Sequence, residues 1–377
     1  MKFLNKASIY TLALLAATAI SSCKDNNEGG EPSVPDNDGT KVSIITEVIT
    51  NSPVITDFTK DQTMNVFVKK TASATGDNFK ENVKGTALGG GEWELSPAIY
   101  INQTQRNVFF YAAYPYVEGL NDVTAYPIDL SKQSDVLYSG DYAAVSLQTT
   151  KARIRMKHAL SMVSAVIDAS SYNGSGTVTS MGISGSAVYL TGKLNVSTGK
   201  ITVADSDKGI VTASMSQDVK SGSANLWVIP FSTKTSDAAF NFTIDGKNYV
   251  IDMPEVEMKT GYQYVFHFIL TPNGLVVRPD VIDEISLNAE GDNSDTAEGY
   301  GSIKFITSAS SFTFPIFTGE NVFGNVVSGD KSVNYSLGGS MELSASGSKT
   351  VTVETWSSTG FELQSLEDIE SIDISNY

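Results

Sequence analysis

Phe240-Asn-Phe-Thr-Ile-Asp-Gly-Lys-Asn-Tyr-Val-Ile251 decides the fold class. Phe240, Phe242 and Ile244 alternate with polar neighbours, Asp245-Gly246 interrupts, and Lys247 to Ile251 resumes the extended rhythm. Asp-Gly supplies the positive φ angles of a type I′ turn, so the stretch reads as a two-residue β-hairpin. Further on, Gly261-Tyr-Gln-Tyr-Val-Phe-His-Phe-Ile-Leu270 alternates strictly, with Tyr262, Tyr264, Phe266, Phe268 and Leu270 on one face and Pro272 ending the run. A period of two marks a half-buried strand, and no segment sustains the 3.6-residue period of a helix.

The same rhythm extends toward the N-terminus. Asn225-Leu-Trp-Val-Ile-Pro-Phe231 is a strand whose Pro230 places its end at an edge or bulge. Ile154, Met156, Leu160, Val163, Val166 and Ile167 give one long strand or two. Arg106-Asn-Val-Phe-Phe-Tyr-Ala-Ala-Tyr114 is an aromatic strand stopped by Pro115, and Met64-Asn-Val-Phe-Val68 is another. Gly85 to Gly91 reads as a mobile Gly-rich loop. Val42, Ile44, Thr46 and Val48 fall on one side of the first extended segment. Beyond Pro272, an acidic stretch reads as a linker holding one strand, Val281 to Leu287. After it come short strands at Ser302–Ile306, Phe312–Phe314, Val322–Val327 and Thr350–Glu354. The end, Phe361 to Ser375, reads as a strand, a short turn of helix and another strand.

Composition agrees with an all-β reading. The chain has 377 residues, 41% apolar and 18% charged, enough for two or three domains and too apolar for disorder. A single cysteine excludes an intrachain disulfide, and with only two histidines a Cys/His zinc site is not expected. The formal charge of −16 repels phosphate backbones, so nucleic acid is not an expected partner.

Residues 1–22 are expected to be a signal peptide. Lys2 and Lys6 form a basic start, and Ile9 to Ile20 is an apolar run too short to span a bilayer. Ser21 and Ser22 then precede Cys23, a pattern that resembles a bacterial lipobox. That resemblance implies cleavage before Cys23 and acylation of it, anchoring the chain to the outer membrane. Residues 23–40 hold almost nothing to bury and read as a flexible tether. Asp25 and Glu28 resemble the surface-export signal of Bacteroidetes lipoproteins.

Asp135-Val-Leu-Tyr-Ser139, followed by Lys157-His-Ala-Leu-Ser161 and Val163, resembles the middle of the Bacteroidetes-type, Mfa-like fimbrillins. Tyr111-Ala-Ala-Tyr-Pro115, Leu226 to Phe231 and Gly261 to Phe268 fit the same family in the same order. The resemblance covers roughly residues 41–272 and implies two tandem transthyretin-like β-sandwiches, here 41–152 and 153–272. Residues 273–300 form the acidic linker. The block 301–377 resembles a PKD-like, Ig-like β-sandwich, although the Trp-Gly-Asp-Gly signature of those modules is reduced to Ser328-Gly-Asp-Lys331. What the resemblance implies is a lipid-anchored, surface-exposed pilus subunit of tip or accessory kind. It would join other fimbrial subunits by donor-strand exchange and adhere to a host or bacterial surface ligand. In stalk subunits a protease frees an N-terminal strand after an Arg. No Arg precedes Arg106 here, so Lys41 is the candidate cleavage residue, with Val42, Ile44, Thr46 and Val48 on the strand to be displaced.

No catalysis is expected. His158 and His267 lie near no nucleophile turn and read as structural, and the Gly85 to Gly91 loop lacks the Gly-Lys-Ser/Thr end of a phosphate loop. No cofactor or metal motif occurs. The alternative function is a non-polymerising surface lipoprotein that binds glycans through exposed aromatics. Trp93 and Trp356, which border loops, are its candidate contacts, with Tyr100 behind them, while Trp227 reads as core.

Overall fold

Extended segments with one apolar face must find a second apolar layer, and in this chain they do so three times. The computed structural model describes residues 39–48, 58–219, 222–234, 237–288, 300–319, 322–329, 331–335, 337–344, 346–356 and 358–377. Among these, the only helices are two single 3-10 turns, Leu130–Lys132 and Asp205–Asp207. Asn37–Tyr377 forms one unit.

The first sheet has eight strands: β1 (Ser43–Val48), β2 (Thr63–Lys69), β3 (Asn78–Gly89), β4 (Glu92–Ser96), β5 (Asn107–Tyr114), β6 (Leu137–Tyr138), β7 (Ala143–Ser146) and β8 (Lys151–His158). Their order is β7-β5-β2-β3-β4-β1-β8-β6, and β6 pairs back onto β5 through Ala113↔Tyr138 and Tyr114↔Leu137. The sheet therefore curls into a closed ring around its own core, which includes Ile44, Met64, Val66, Trp93, Phe110 and Ile154. β5 is buried on both faces. Val108, Phe110 and Ala112 point into the ring, while Phe109, Tyr111 and Ala113 join the core of the next domain. A strand covered on both sides needs no polar face, which is why its sequence is a continuous apolar run.

Two expectations change here. Gly85 to Gly89 belong to the long strand β3, and only Gly90-Gly91 turns, at φ +62° and +78°. Gly85 is small because Met64 and Trp93 lie against it, each 3.2 Å from where a Cβ would sit. The expected domain start at Arg153 also moves, since β8 stays in the first sheet and the chain changes sheets at Ala159-Leu160.

The second domain is a two-layer sandwich of β9 (Ser161–Asp168), β10 (Thr177–Gly185), β11 (Val211–Asp218), β12 (Ala224–Val228), β13 (Ala238–Ile244), β14 (Lys247–Asp252), β15 (Tyr262–Thr271) and β16 (Gly274–Ser286). One layer runs β12-β9-β15-β16 and the other β11-β10-β13-β14. The β13–β14 hairpin turns at Asp245-Gly246 with φ +50° and +75°, as the sequence demands. Its inward Phe240 and Phe242 meet Phe266 and Phe268 of β15 edge to face, at centroid distances of 4.9–5.2 Å. That geometry sets the positive ring edge against the negative ring face. The acidic stretch expected as linker is largely β16. Leu275, Val277 and Ile282 pack on the core while Asp283 and Glu284 stay at the surface. Leu275 and Val277 alternate, and a register shift opposite Phe266–Phe268 brings Ile282 back onto the core.

The last block has one five-stranded sheet, β19-β18-β20-β17-β21, from β17 (Tyr300–Thr307), β18 (Phe323–Ser328), β19 (Lys331–Asn334), β20 (Lys349–Trp356) and β21 (Ile369–Asn376). Two short ladders, Ser311–Thr313 with Ser340–Glu342 and Ile316–Thr318 with Gly360–Glu362, accompany it. Ile303, Phe305, Phe312, Phe314, Val351 and Val353 fill its core. The helical turn expected near the C-terminus is a plain turn leading into β21.

Candidate functional site: the first strand, its slot and the joint behind it

β1 occupies one position in the ring, with β8 on one side and β4 on the other. It runs parallel to β8 over six register pairs, from Lys151↔Ser43 to Met156↔Val48, and antiparallel to β4 at Ile44↔Trp93 and Ile45↔Glu92. Val42, Ile44, Thr46 and Val48 are 2%, 1%, 8% and 9% exposed, so the face expected from the sequence is the buried one. Ser43 and Glu47 point to solvent. Ile49, the last residue of the expected strand, lies outside the described residues.

Thr46 is the polar member of the inward face, and burying its hydroxyl requires a partner. The Trp93 indole N–H donates to Thr46 Oγ1 at 2.7 Å. The Thr46 backbone N–H donates to the Gly91 carbonyl at 2.8 Å. A Cβ on Gly91 would sit 2.7 Å from the Thr46 carbonyl oxygen, so the turn beside β1 has to be glycine. Outside the ring, Arg155 meets Glu47 at 3.8 Å and Lys151 meets Glu92 at 3.5 Å. Such exposed pairs add little.

Removing β1 in thought leaves a long apolar slot. Trp93 and Leu95 line one wall and Ala152, Ile154 and Met156 the other, with unpaired backbone groups along both. Lys41 lies just before the slot in a two-residue ladder, Thr40–Lys41 against Tyr100–Ile101, and is exposed. Cys23 lies outside the described residues, and so does the Trp356 side chain. Trp93 is 5% exposed, packs edge-on against Phe58 at 5.0 Å and spends its N–H on Thr46. It has no face free for a sugar, which corrects the glycan expectation at that residue. The signal was the alternation Glu92-Trp93-Glu94-Leu95, which marks Trp93 as inward whatever loop it borders. Tyr100 is half-buried beside Lys41.

Behind the slot the two domains are clasped by residues that the sequence does not bring together. His158 ends β8, fully buried, and its Nδ1 lies 2.7 Å from Asp135 Oδ2. Its backbone N–H donates to Asn288 Oδ1 at 2.7 Å, and Asn288 Nδ2 donates back to the His158 carbonyl at 3.2 Å. Trp227 stacks on the imidazole at 6.1 Å with planes 13° apart. Gln133 holds Trp227 in place, accepting from its backbone N–H at 2.9 Å and donating to its carbonyl at 3.1 Å. Gly261, at φ +72°, passes so close to Asn288 that any side chain would collide with it. The two fimbrillin-like sequence stretches, around Asp135 and around His158, thus meet as β6 and β8. His267, by contrast, makes a surface pair with Asp283 at 2.9 Å. Among the described residues, neither histidine has a nucleophilic side chain on its second nitrogen and no group of metal-binding side chains occurs.

A model of the fimbrillin-like family matches residues 50–290, from just after β1 to the end of the sandwich. Among solved structures, a proposed cell adhesion protein from Bacteroides uniformis aligns with a TM-score of 0.51 at 17% identity, covering 65% of this chain and 98% of its own. A second proposed cell adhesion protein, from Bacteroides ovatus, aligns at 0.48 and 14% identity, covering 67% and 99%. The tip fimbrial protein Mfa3 from Porphyromonas gingivalis, truncated at its C-terminus, aligns at 0.37 and 9% identity, covering 66% and 100%. No curated protein matches the chain. The family match takes in β2 to β16, the strands that build the ring, the clasp and the sandwich, and on that ground this chain belongs to the fimbrillin-like family.

Proposed function

We propose that the chain is an exported, outer-membrane-anchored pilus subunit of tip or accessory kind, joined to neighbouring fimbrial subunits by strand exchange at the β1 slot and mediating adhesion. The observation that carries the reading is the place of β1 in the ring. One six-residue strand, the first of the ring, closes a barrel whose other strands all follow it. Its departure would expose an apolar groove with two unpaired edges, which a strand from a second copy satisfies in the same way. The anchor is Cys23, and the tip or accessory role rests on the block after residue 300, read as a PKD-like module too bulky to repeat along a fibre. The name of the Bacteroides uniformis relative, a proposed cell adhesion protein, agrees with this reading.

In this reading the chain opens after β1. A cut at Lys41 removes only the tether and leaves β1 seated, because β1 begins at Ser43. Freeing β1 requires a cut between Val48 and Thr63, and the first basic residue there is the exposed Lys60. Lys60 therefore replaces Lys41 as the cleavage residue of this reading. The test is the N-terminus of the chain recovered from assembled surface fibres. A start at Asp61 is expected for copies that have accepted a strand. If every assembled copy keeps β1 covalently attached, strand exchange at this slot is refuted. Replacement of Cys23 by Ala is expected to abolish incorporation of a labelled fatty acid.

A further inference from the structure

Strand exchange at the β1 slot raises a problem of register. Val42, Ile44, Thr46 and Val48 are close in size, so an incoming strand of this kind could slip by two residues and still keep the same face inward. Shape alone does not fix the alignment. Two polar contacts at neighbouring residues do, one on each face of β1.

Inside the ring, the Trp93 indole N–H donates to Thr46 Oγ1 at 2.7 Å, and Trp93 is 5% exposed. A slip by two in either direction brings Ile44 or Val48 to that place. The buried N–H then meets a methyl group, and a buried donor left unpaired costs more than a made bond contributes. The slot therefore calls for a small side chain with an acceptor oxygen at this inward position.

Outside, β8 turns Lys151, Arg153, Arg155 and Lys157 away from the core. β4 answers with Glu92 and Glu94, but only beside the first half of β1. Glu92 lies opposite Ile45 and meets Lys151 at 3.5 Å. Past Thr46, β4 gives way to the Gly90-Gly91 turn, which carries no side chain. Glu47 sits there, in register with Arg155 and 3.8 Å from it. The charge along the slot is thus mixed at Ile45 and cationic at Glu47. A carboxylate slipped to the Ile45 position would face Glu92 directly, and like charges opposite one another destabilise a ladder. The exposed Arg155–Glu47 pair adds little attraction. Its weight lies in rejecting a cation or a misaligned acid.

We infer that the slot reads a two-residue key, a hydroxyl residue followed by an acid. It admits as donor a strand of a neighbouring subunit that sets Ser or Thr against Trp93 and Asp or Glu against Arg155, which makes Trp93 and Arg155 the residues that determine specificity. The inference rests on the strand-exchange reading and gives it a partner sequence.

The experiment uses the chain with a site-specific protease sequence inserted after Asn51, cut there and kept with all its residues. Labelled peptides of residues 41–49 are offered in exchange for the seated β1. The parent peptide is expected to enter. Thr46→Val should weaken uptake at least about tenfold, while Ser43→Ala, on the exposed face, leaves it unchanged. Glu47→Lys should weaken uptake at low salt, and Arg155→Glu in the chain should restore that peptide while weakening the parent. In the uncut chain, Glu47→Lys should lower the melting temperature and Arg155→Glu added to it should recover the loss, a readout that needs no exchange. Equal uptake of the parent, Thr46→Val and Glu47→Lys peptides overturns the key and leaves strand exchange standing. Failure of Arg155→Glu to rescue Glu47→Lys in either readout also overturns it. If no peptide enters, the parent included, strand exchange itself fails and the key falls with it.

Discussion

Ile44→Ala tests whether β1 is an integral wall of the ring or a ribbon laid on it. Ile44 is 1% exposed and faces Trp93 across the β1–β4 ladder. Deleting three buried carbons costs their transfer free energy and leaves a void, together about 2–5 kcal/mol for Ile→Ala. The void here cannot easily collapse, because the facing indole is fixed by its hydrogen bond to Thr46 and its contact with Phe58. The upper half of the range is therefore expected. Ile45→Ala is the internal control. Ile45 is only half-buried and outward, so its loss should stay within about 1 kcal/mol. With a urea slope of about 2 kcal/mol per M, Ile44→Ala should lower the unfolding midpoint by about 1.7–2.5 M and Ile45→Ala by less than about 0.5 M. Urea titration followed by tryptophan fluorescence reads this directly, since Trp93 lies against the mutated site. Equal shifts for the two variants would refute the placement of β1, and with it the slot on which strand exchange rests.

Three further outcomes follow from the geometry. Gly91→Ala should cost about 2 kcal/mol or more in thermal unfolding, because it combines a positive φ with a clash on the Thr46 carbonyl, whereas Gly90→Ala, with open space around it, should cost about 1 kcal/mol. Asp245 accepts first from the Ser175 hydroxyl and then from the Gly176 and Thr177 N–H groups, which hold its carboxyl well below the usual carboxylate range. A depressed folded-state value means stability that is present above the unfolded value of about 4 and lost as pH falls below it. The melting temperature should therefore drop more steeply below pH 4 in the parent than in Asp245→Asn. His158→Ala strands the buried Asp135 carboxyl and should cost about 1–3 kcal/mol, while adding Asp135→Ala should cost less than the two single effects combined.

Much of the fold was legible because period-two alternation does not depend on partners. The inward face of β1, the β13–β14 hairpin and the aromatic face of β15 all follow from residue order alone. The misreadings share a cause, which is reading composition in place of alternation. Gly85 and Gly89 suggest a loop, but the strand takes Gly85 because Met64 and Trp93 need its space. Acids after Pro272 suggest a linker, but Leu275 and Val277 reach the core and a bulge resets the phase so that Ile282 does too. Trp93 was assigned by its distance from a turn when Leu95 already showed its side. The boundary at Ala159-Leu160 was hidden for another reason, because neither residue is a breaker and the sheets change without a sequence signal. Asp135 and His158 each sit inside a fimbrillin-like motif, yet their pairing is set by the β6–β8 register, and register is a property of the closed ring.

The parallel arrangement of β1 and β8 has a mechanical consequence. β1 is entered from the amino-terminal side, and β8 leaves toward the sandwich, so their loaded ends lie at opposite ends of the shared ladder. A pull between the leading segment and the rest of the molecule then drags the two strands past one another lengthwise. All six rungs carry the load together, and none can open first like the teeth of a zip.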